Sequence, residues 1–286
     1  MKIAVASGKG GTGKTTLSSN LANFLAKDFS VLLTDLDVEE PNAKIFFSGT
    51  EKMKEEKYKM IPVWDESKCT LCNICQESCN FNAILKLGNT INVFPELCHS
   101  CYACSELCPT SALPMSQKKI GELKYFENEK ISFIEAKLSI GEEQAVPLIK
   151  QTNDFIKENF KNHQIYIYDS PPGTSCPVIE TTKNVDLIIL VTEPTPFGFH
   201  DLKLAVDTME ELDKEFAVVI NKYGIGNNDV ENYCKSNGID IIAKIPNDKK
   251  IAELYSNGKL LFENIPEVKN ELEKIRKYIL KLMNEK

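Results

Sequence analysis

The sequence predicts an α/β fold: a mostly parallel sheet built around a phosphate-binding loop and interrupted by a small α+β unit rich in cysteine. Three observations carry this. Six short apolar runs, starting at Ile3, Val31, Ile165, Leu187, Ala217 and Ile241, alternate with segments of helical periodicity, as in a parallel sheet covered on both faces. Gly8-Lys9-Gly10-Gly11-Thr12-Gly13-Lys14-Thr15 separates the first run from the first helical segment, the context in which G-x-x-x-x-G-K-[ST] holds phosphate. Eight of the ten cysteines fall between Cys69 and Cys108 in a duplicated pattern. These features divide the chain into a host domain of residues 1–60 and 119–286 and an insert of residues 61–118.

In chain order, Ile3-Ala4-Val5-Ala6 has the character of a buried strand, and Leu17, Leu21, Phe24 and Leu25 recur at helical spacing. Between them, the glycines let backbone N–H groups turn inward around phosphate oxygens, and the helix that starts near Lys14, Thr15 and Thr16 adds the positive end of its dipole. Lys14 supplies charge and Thr15 a magnesium ligand. Val31 to Thr34 is a second strand ending in Asp35-Leu36-Asp37, where carboxylates sit beside the ligand crevice of a parallel sheet. The charged run from Glu51 to Lys59 reads as a solvated helix or connector.

Cys69, Cys72, Cys75 and Cys79 form C-x-x-C-x-x-C-x-x-x-C, and Cys98, Cys101, Cys104 and Cys108 repeat it at a constant offset of 29 residues. Asn82-Ala83-Ile84 is mirrored by Ser111-Ala112-Leu113, so the repeat runs past the thiols. In a reducing compartment such a cluster means metal rather than disulfides. Soft thiolates suit iron–sulfur clusters; structural zinc is the competing reading, although zinc sites usually pair separated C-x-x-C units. His99 is expected to be exposed, and Trp64 to pack where the insert joins the host.

Beyond Met115, Lys119-Ile120-Gly121 is read as the start of a connector. A helical pattern spans Val146 to Phe160, and the strand from Ile165 to Tyr168 ends in Asp169-Ser170-Pro171-Pro172-Gly173-Thr174. An Asp closing an apolar strand holds magnesium, directly or through water. Cys176 reads as a buried or half-buried thiol, and Cys234, which has no partner motif, as structural. Val268, Leu272, Ile275, Ile279 and Leu282 share one face of a terminal helix that is expected to pack on its own core.

Charge and hydropathy narrow the function classes. A net charge of -7 and a pI near 5.3 argue against a surface that gathers nucleic acid by bulk electrostatics. No apolar run is long enough to span a membrane, and the start lacks a secretory core, so the expected location is the cytoplasm, with no membrane or nucleic-acid partner.

Lys9, second in the loop, makes the run K-G-G-x-G-K-T, which resembles the deviant Walker A motif of the MinD, ParA and Mrp ATPases and, more distantly, the nitrogenase iron protein. The resemblance implies a P-loop NTPase fold, ATP with Mg2+, and a Lys9 that reaches across a dimer to the partner's phosphates. It gives Asp37 the orientation of attacking water, Asp35 support of the loop and metal region, and Gly173 a backbone contact to the terminal phosphate. Asn221-Lys222 resembles the adenine-contacting pair, and Pro246 with Asn247-Asp248 the segment that closes over the base. In the nitrogenase iron protein a cysteine at the distance of Cys176 from the Asp holds a shared cluster, but the second cysteine that such a site needs is missing here.

The insert resembles a bacterial two-cluster ferredoxin, with Asn80 standing where the second run has Pro109. That resemblance implies two 4Fe-4S clusters, one on Cys69, Cys72, Cys75 and Cys108, the other on Cys98, Cys101, Cys104 and Cys79. The expected protein is an ATPase, homodimeric or paired with a related chain, whose nucleotide-dependent switch is coupled to electron delivery to a metalloenzyme or maturing metal cofactor. An Mrp-like cluster carrier is the alternative, followed by a positioning ATPase; the partner is accordingly a redox or cluster-accepting protein.

Overall fold

The computed structural model describes residues 1–285. Along the chain run β1 (Lys2–Ala6), α1 (Lys14–Leu25), β2 (Val31–Asp35), β3 (Thr50–Pro62), α2 (Ile74–Glu77), β4 (Ile84–Leu87), β5 (Thr90–Val93), α3 (Ala103–Glu106), β6 (Met115–Glu127) and β7 (Ile131–Leu138). There follow α4 (Ala145–Asn159), β8 (Ile165–Asp169), α5 (Cys176–Thr182), β9 (Leu187–Thr192), α6 (Pro196–Glu211), β10 (Phe216–Tyr223), α7 (Asp229–Ser236), β11 (Ile241–Pro246), α8 (Lys249–Ser256) and α9 (Pro266–Glu285). All six strands expected from apolar runs form.

Nine strands, among the described residues, make one sheet in the order β11-β10-β9-β1-β8-β2-β7-β6-β3. β1 lies at its centre, pairing in parallel with β8 and β9. β2 is parallel to both β7 and β8, and β9, β10 and β11 continue the parallel series. Strands buried on both faces read as continuous apolar runs, which is why β1, β8 and β9 were legible. One face of the sheet packs Ile3, Val5 and Ile167 against Leu17 and Leu21 of α1 and Leu272 of α9. The terminal helix thus turns its stripe inward, with Leu272, Ile275 and Ile279 fully buried; Lys286 lies outside the described residues.

Two expectations fail. The Glu51 to Lys59 run is neither a solvated helix nor a connector but most of β3, and the segment after Met115 is the strand pair β6 and β7. In β3 the side chains of Lys57 and Lys59 are buried while their neighbours face solvent. A period-two burial pattern carried by lysines cannot be recognised from hydropathy.

The chain forms two compact units, one of residues 1–55, 123–137 and 149–286, the other of residues 56–122 and 138–148. In the second, β4 and β5 form an antiparallel hairpin, and Cys75, Ile84, Ile91, Cys104 and Leu113 make a small core to which Trp64 is packed. Trp64 therefore belongs to the core of this unit. The same unit holds a buried ion pair, Lys59 Nζ to Glu142 Oε1 at 2.8 Å, both side chains 2% exposed, with Gln144 Oε1 3.0 Å from the ammonium and Lys118 3.3 Å from the other Glu142 oxygen. Buried charges of this kind stand only when paired and hydrogen-bonded.

Candidate functional site

The loop after β1 is held open by its neighbours. Ser7 Oγ donates to Lys9 O at 2.6 Å, and the Asn221 amide donates to Thr12 O at 2.7 Å. Gly13 adopts φ +94°, and a Cβ there would meet Asn221 Nδ2 at 2.3 Å; at Gly8 it would meet Asp201 O at 2.1 Å. Backbone leaves no room for a side chain at Gly8, and the left-handed conformation disfavours one at Gly13. Gly13→Ala should weaken binding of MgADP about five- to thirtyfold, since the left-handed backbone alone costs about 1–2 kcal/mol for alanine; calorimetry returning wild-type affinity would show that the loop geometry is unimportant.

Below the loop, Lys14 is the first residue of α1 and nearly buried. Desolvation lowers its pKa, against the opposing charges of Asp169 and Asp37. Asp169, at the end of β8, is fully buried, and neither carboxylate oxygen has a hydrogen-bond partner. Burial pushes it up to about 7, although the Thr15 hydroxyl, Lys14 and the Ser18 hydroxyl nearby pull the other way. An unpaired buried carboxylate is costly, and here it stands beside Thr15; this donor set fits a divalent cation. Asp35 is also fully buried and raised well above the carboxylate range by burial and by Asp169. Its oxygens accept from the N–H groups of Asp37 (3.1 Å), Asn42 (2.9 Å) and Ala43 (2.8 Å), so it shapes the turn that carries Asp37. Asp37 itself is half-buried, and burial raises its carboxyl against the pull of Lys14.

These groups open into a cleft of about 520 Å³ lined by Gly10, Gly11, Gly13, Lys14, Thr15 and Thr16, with Asp37 at one side, a size typical of small-molecule sites. Asn221, Lys222 and Pro246 form its far wall together with Ile251 and Tyr255 of α8. Tyr255 was missed by the sequence reading: it packs edge-on against Phe46 at 5.3 Å, a tertiary pairing without a local signature. Asn221 also buttresses Thr12 through one of its two amide hydrogens. Gly173, at φ +95°, donates its N–H to Ser7 O at 3.0 Å, so its amide is engaged within the chain. Lys9 points to Glu193, with which it forms an ion pair, and Lys222 pairs with the other Glu193 oxygen at 2.8 Å. Burial alone would raise Glu193, but Lys222 and Lys9 hold it below the usual glutamate range.

The cysteines occupy two equivalent places in the second unit. Cys69, Cys72, Cys75 and Cys108 line one cavity; Cys79, Cys98, Cys101 and Cys104 line the other. Among the described residues no group of three or more His, Cys, Asp or Glu side chains converges on a single ion; each set of thiols surrounds a space instead. The repeat extends to the backbone. Leu71, Asn73 and Asn82 have positive φ, as do Ser100, Tyr102 and Ser111 at the same offset. Leu71 N–H faces Cys69 Sγ as Ser100 N–H faces Cys98 Sγ, and Ala83 N–H faces Cys79 Sγ as Ala112 N–H faces Cys108 Sγ, all at 3.2–3.5 Å. Burial raises the Cys75 thiol and pushes Cys104 up to about 11. In Cys108 the upward push of burial is outweighed by the N–H groups of Ala112 and Thr110. Cys72 and Cys101 are exposed, and His99 is exposed and stacked on Phe81 at 3.9 Å.

Of the two outlying cysteines, Cys234 is buried. Cys176 is exposed, contrary to its reading as a buried or half-buried thiol: it opens α5, and Val178, Thr181 and Thr182 supply the buried side of that helix. Among the described residues no helix is long and apolar enough to cross a membrane.

Residues 3–262 match the CobQ/CobB/MinD/ParA nucleotide binding domain. Over 98% of both chains the protein is 34% identical to an uncharacterised protein of Methanocaldococcus jannaschii. It is 25% identical to the iron-sulfur cluster carrier protein of Pyrococcus horikoshii, over 98% of this chain and 86% of that one. Its fold is similar to the cell division ATPase MinD of Pyrococcus furiosus, with a TM-score of 0.61 at 18% identity over 97% of this chain and 98% of the other. The glycine-built loop, the buried Lys14 and Asp169 beneath it and the match over most of the chain agree: the protein belongs to the CobQ/CobB/MinD/ParA nucleotide-binding family.

Proposed function

We propose that this chain is an ATP-dependent iron–sulfur protein of the cluster-carrier kind. The single observation that carries the reading is the pair of equivalent four-thiol cavities in the same chain as a complete phosphate loop. Thiols that surround a space fit a cubane, in which each iron takes one thiolate. When bound, 4Fe-4S clusters supply one-electron redox chemistry and the charge that holds buried Cys75 and Cys104 as thiolates. The likeness to a cluster carrier over nearly the whole chain supports delivery of a cluster cargo over the delivery of electrons expected from the ferredoxin pattern alone.

In this reading Lys14 and the N–H groups of Gly10 to Lys14 bind the phosphates of ATP, and Thr15 and Asp169 hold Mg2+. Asp37 orients the attacking water, and charge developing on the transferred phosphoryl meets Lys14. Two copies, or this chain and a related one, close over two nucleotides with Lys9 crossing between them; the Gly173 amide then exchanges Ser7 O for phosphate. Exposed Cys72 and Cys101 mark where each thiol set meets an acceptor, and exposed Cys176 offers one thiol per copy for cargo, the remaining ligands coming from outside this chain.

Anaerobic reconstitution followed by transfer to an apo-ferredoxin tests this. About eight irons per chain are expected, with transfer accelerated by MgATP and lost in Cys176→Ala while the iron on the insert is retained. The electron-delivery reading has its own support in the N–H groups aimed at the sulfurs, which suit resident clusters. Absence of transfer, together with a nucleotide-induced midpoint shift of about 60 mV, a tenfold change for one electron, would replace the first reading by the second.

A further inference from the structure

Glu193 follows β9 at the mouth of the phosphate loop, and its side chain is only 11% exposed. One carboxylate oxygen takes the Lys9 ammonium from within the loop, the other takes Lys222 from β10 at 2.8 Å. The same Lys222 ammonium donates to Gly11 O at 3.3 Å, so the two lysines bracket the glycine turn with the carboxylate between them. This placement is built. A Cβ on Gly198 would fall 2.3 Å from Glu193 O and 2.8 Å from its Cγ, so glycine at 198 is what lets Glu193 lie there. Thr192 Oγ1 donates to Gly198 O at 2.9 Å, and Gly198 N–H donates to Thr195 Oγ1 at 3.1 Å. Lys222 itself adopts φ +52°, a conformation that a lysine keeps only where its surroundings enforce it.

From this we infer that Glu193 is an internal anion that competes with the phosphates of the nucleotide for Lys9 and Lys222, and so sets the affinity of the loop. One carboxylate bridging two ammonium groups is the arrangement that a phosphate oxygen pair would take, and a polyphosphate carries more charge. Nucleotide in the loop therefore has to break the Lys222 pair, and closure of two copies the Lys9 pair, before either ammonium gains a phosphate. The inference rests on the phosphate loop being a nucleotide site.

In Glu193→Gln both lysines lose their anion, and binding of magnesium pyrophosphate and of MgADP should tighten about three- to tenfold by calorimetry. Pyrophosphate lacks base and ribose, so an equal gain places the effect at the phosphates. Unchanged or weaker affinity at an unchanged melting temperature would overturn the proposal. A second measurement uses the wild-type protein, in case the variant does not fold. A water-soluble carbodiimide should join Glu193 to Lys9 or Lys222 in the nucleotide-free state, and magnesium with a non-hydrolysable ATP analogue should suppress that cross-link several-fold. If the analogue binds calorimetrically and the cross-link persists, Glu193 is not displaced and the proposal fails while the nucleotide site stands. If no nucleotide binds, both fail together.

Discussion

Removing iron from the reconstituted protein with an anaerobic chelator should unfold the cysteine-bearing segment within residues 66–113 while the phosphate-loop unit stays folded. The reason lies in the balance of terms within that segment. The core around the thiols contains three apolar side chains, Ile84, Ile91 and Leu113, and two thiols, Cys75 and Cys104, and the second unit's fully buried Ile120 and Leu148 lie outside it. Full burial of the three aliphatic groups contributes about 1.5–3 kcal/mol each. Against this stand six non-glycine residues at positive φ, namely Leu71, Asn73, Asn82, Ser100, Tyr102 and Ser111, at roughly 1 kcal/mol or more apiece. These terms nearly cancel, and α2 and α3 are only four residues long, too short to be stable on their own. If the cavities hold the proposed clusters, metal–thiolate bonds supply most of the folding free energy there. Hydrogen-exchange mass spectrometry checks this: peptides within 66–113 should lose protection on chelation, and peptides of β1, β8 and β9 should keep it. Protection that survives iron removal would contradict the assignment of the cavities to clusters.

Asp169→Asn should move stability and activity in opposite directions. In the nucleotide-free protein the carboxylate is buried without a hydrogen-bond partner, so a neutral amide of the same shape removes a desolvation cost and should raise the melting temperature by several degrees. With MgATP the amide is a poor ligand for a divalent cation, and hydrolysis should fall by about a hundredfold or more. The pH dependence follows with its sign. Folding raises the carboxyl from its ordinary 3.8 to about 7, so the folded state binds the proton more tightly than the unfolded state. Asp169 therefore favours folding most at acid pH, and stability is lost as pH rises from about 4 through 7. Thermal melts of the two proteins across that range should diverge with rising pH. A variant that is less stable at pH 8 and hydrolyses normally would remove Asp169 from the metal site.

The sequence by itself determined the phosphate loop, the central strands and the cysteine repeat. In each case the signal is local: glycines where a backbone must turn around phosphate, unbroken apolar runs where a strand is buried on both faces, and thiols that recur at one spacing around each cavity. Legibility ended where a residue's environment comes from distant chain. β3 reads as charged connector because its inward Lys59 is satisfied by Glu142, 83 residues away. Lys9 reads as free to leave the loop until the fold sets Glu193 beside it, at a separation of 184 residues. The exposure of Cys176 and the edge-on packing of Tyr255 on Phe46 were likewise decided by tertiary structure. A buried charge takes its meaning from its partner, and the partner is chosen by the topology of the sheet and not by the neighbouring residues.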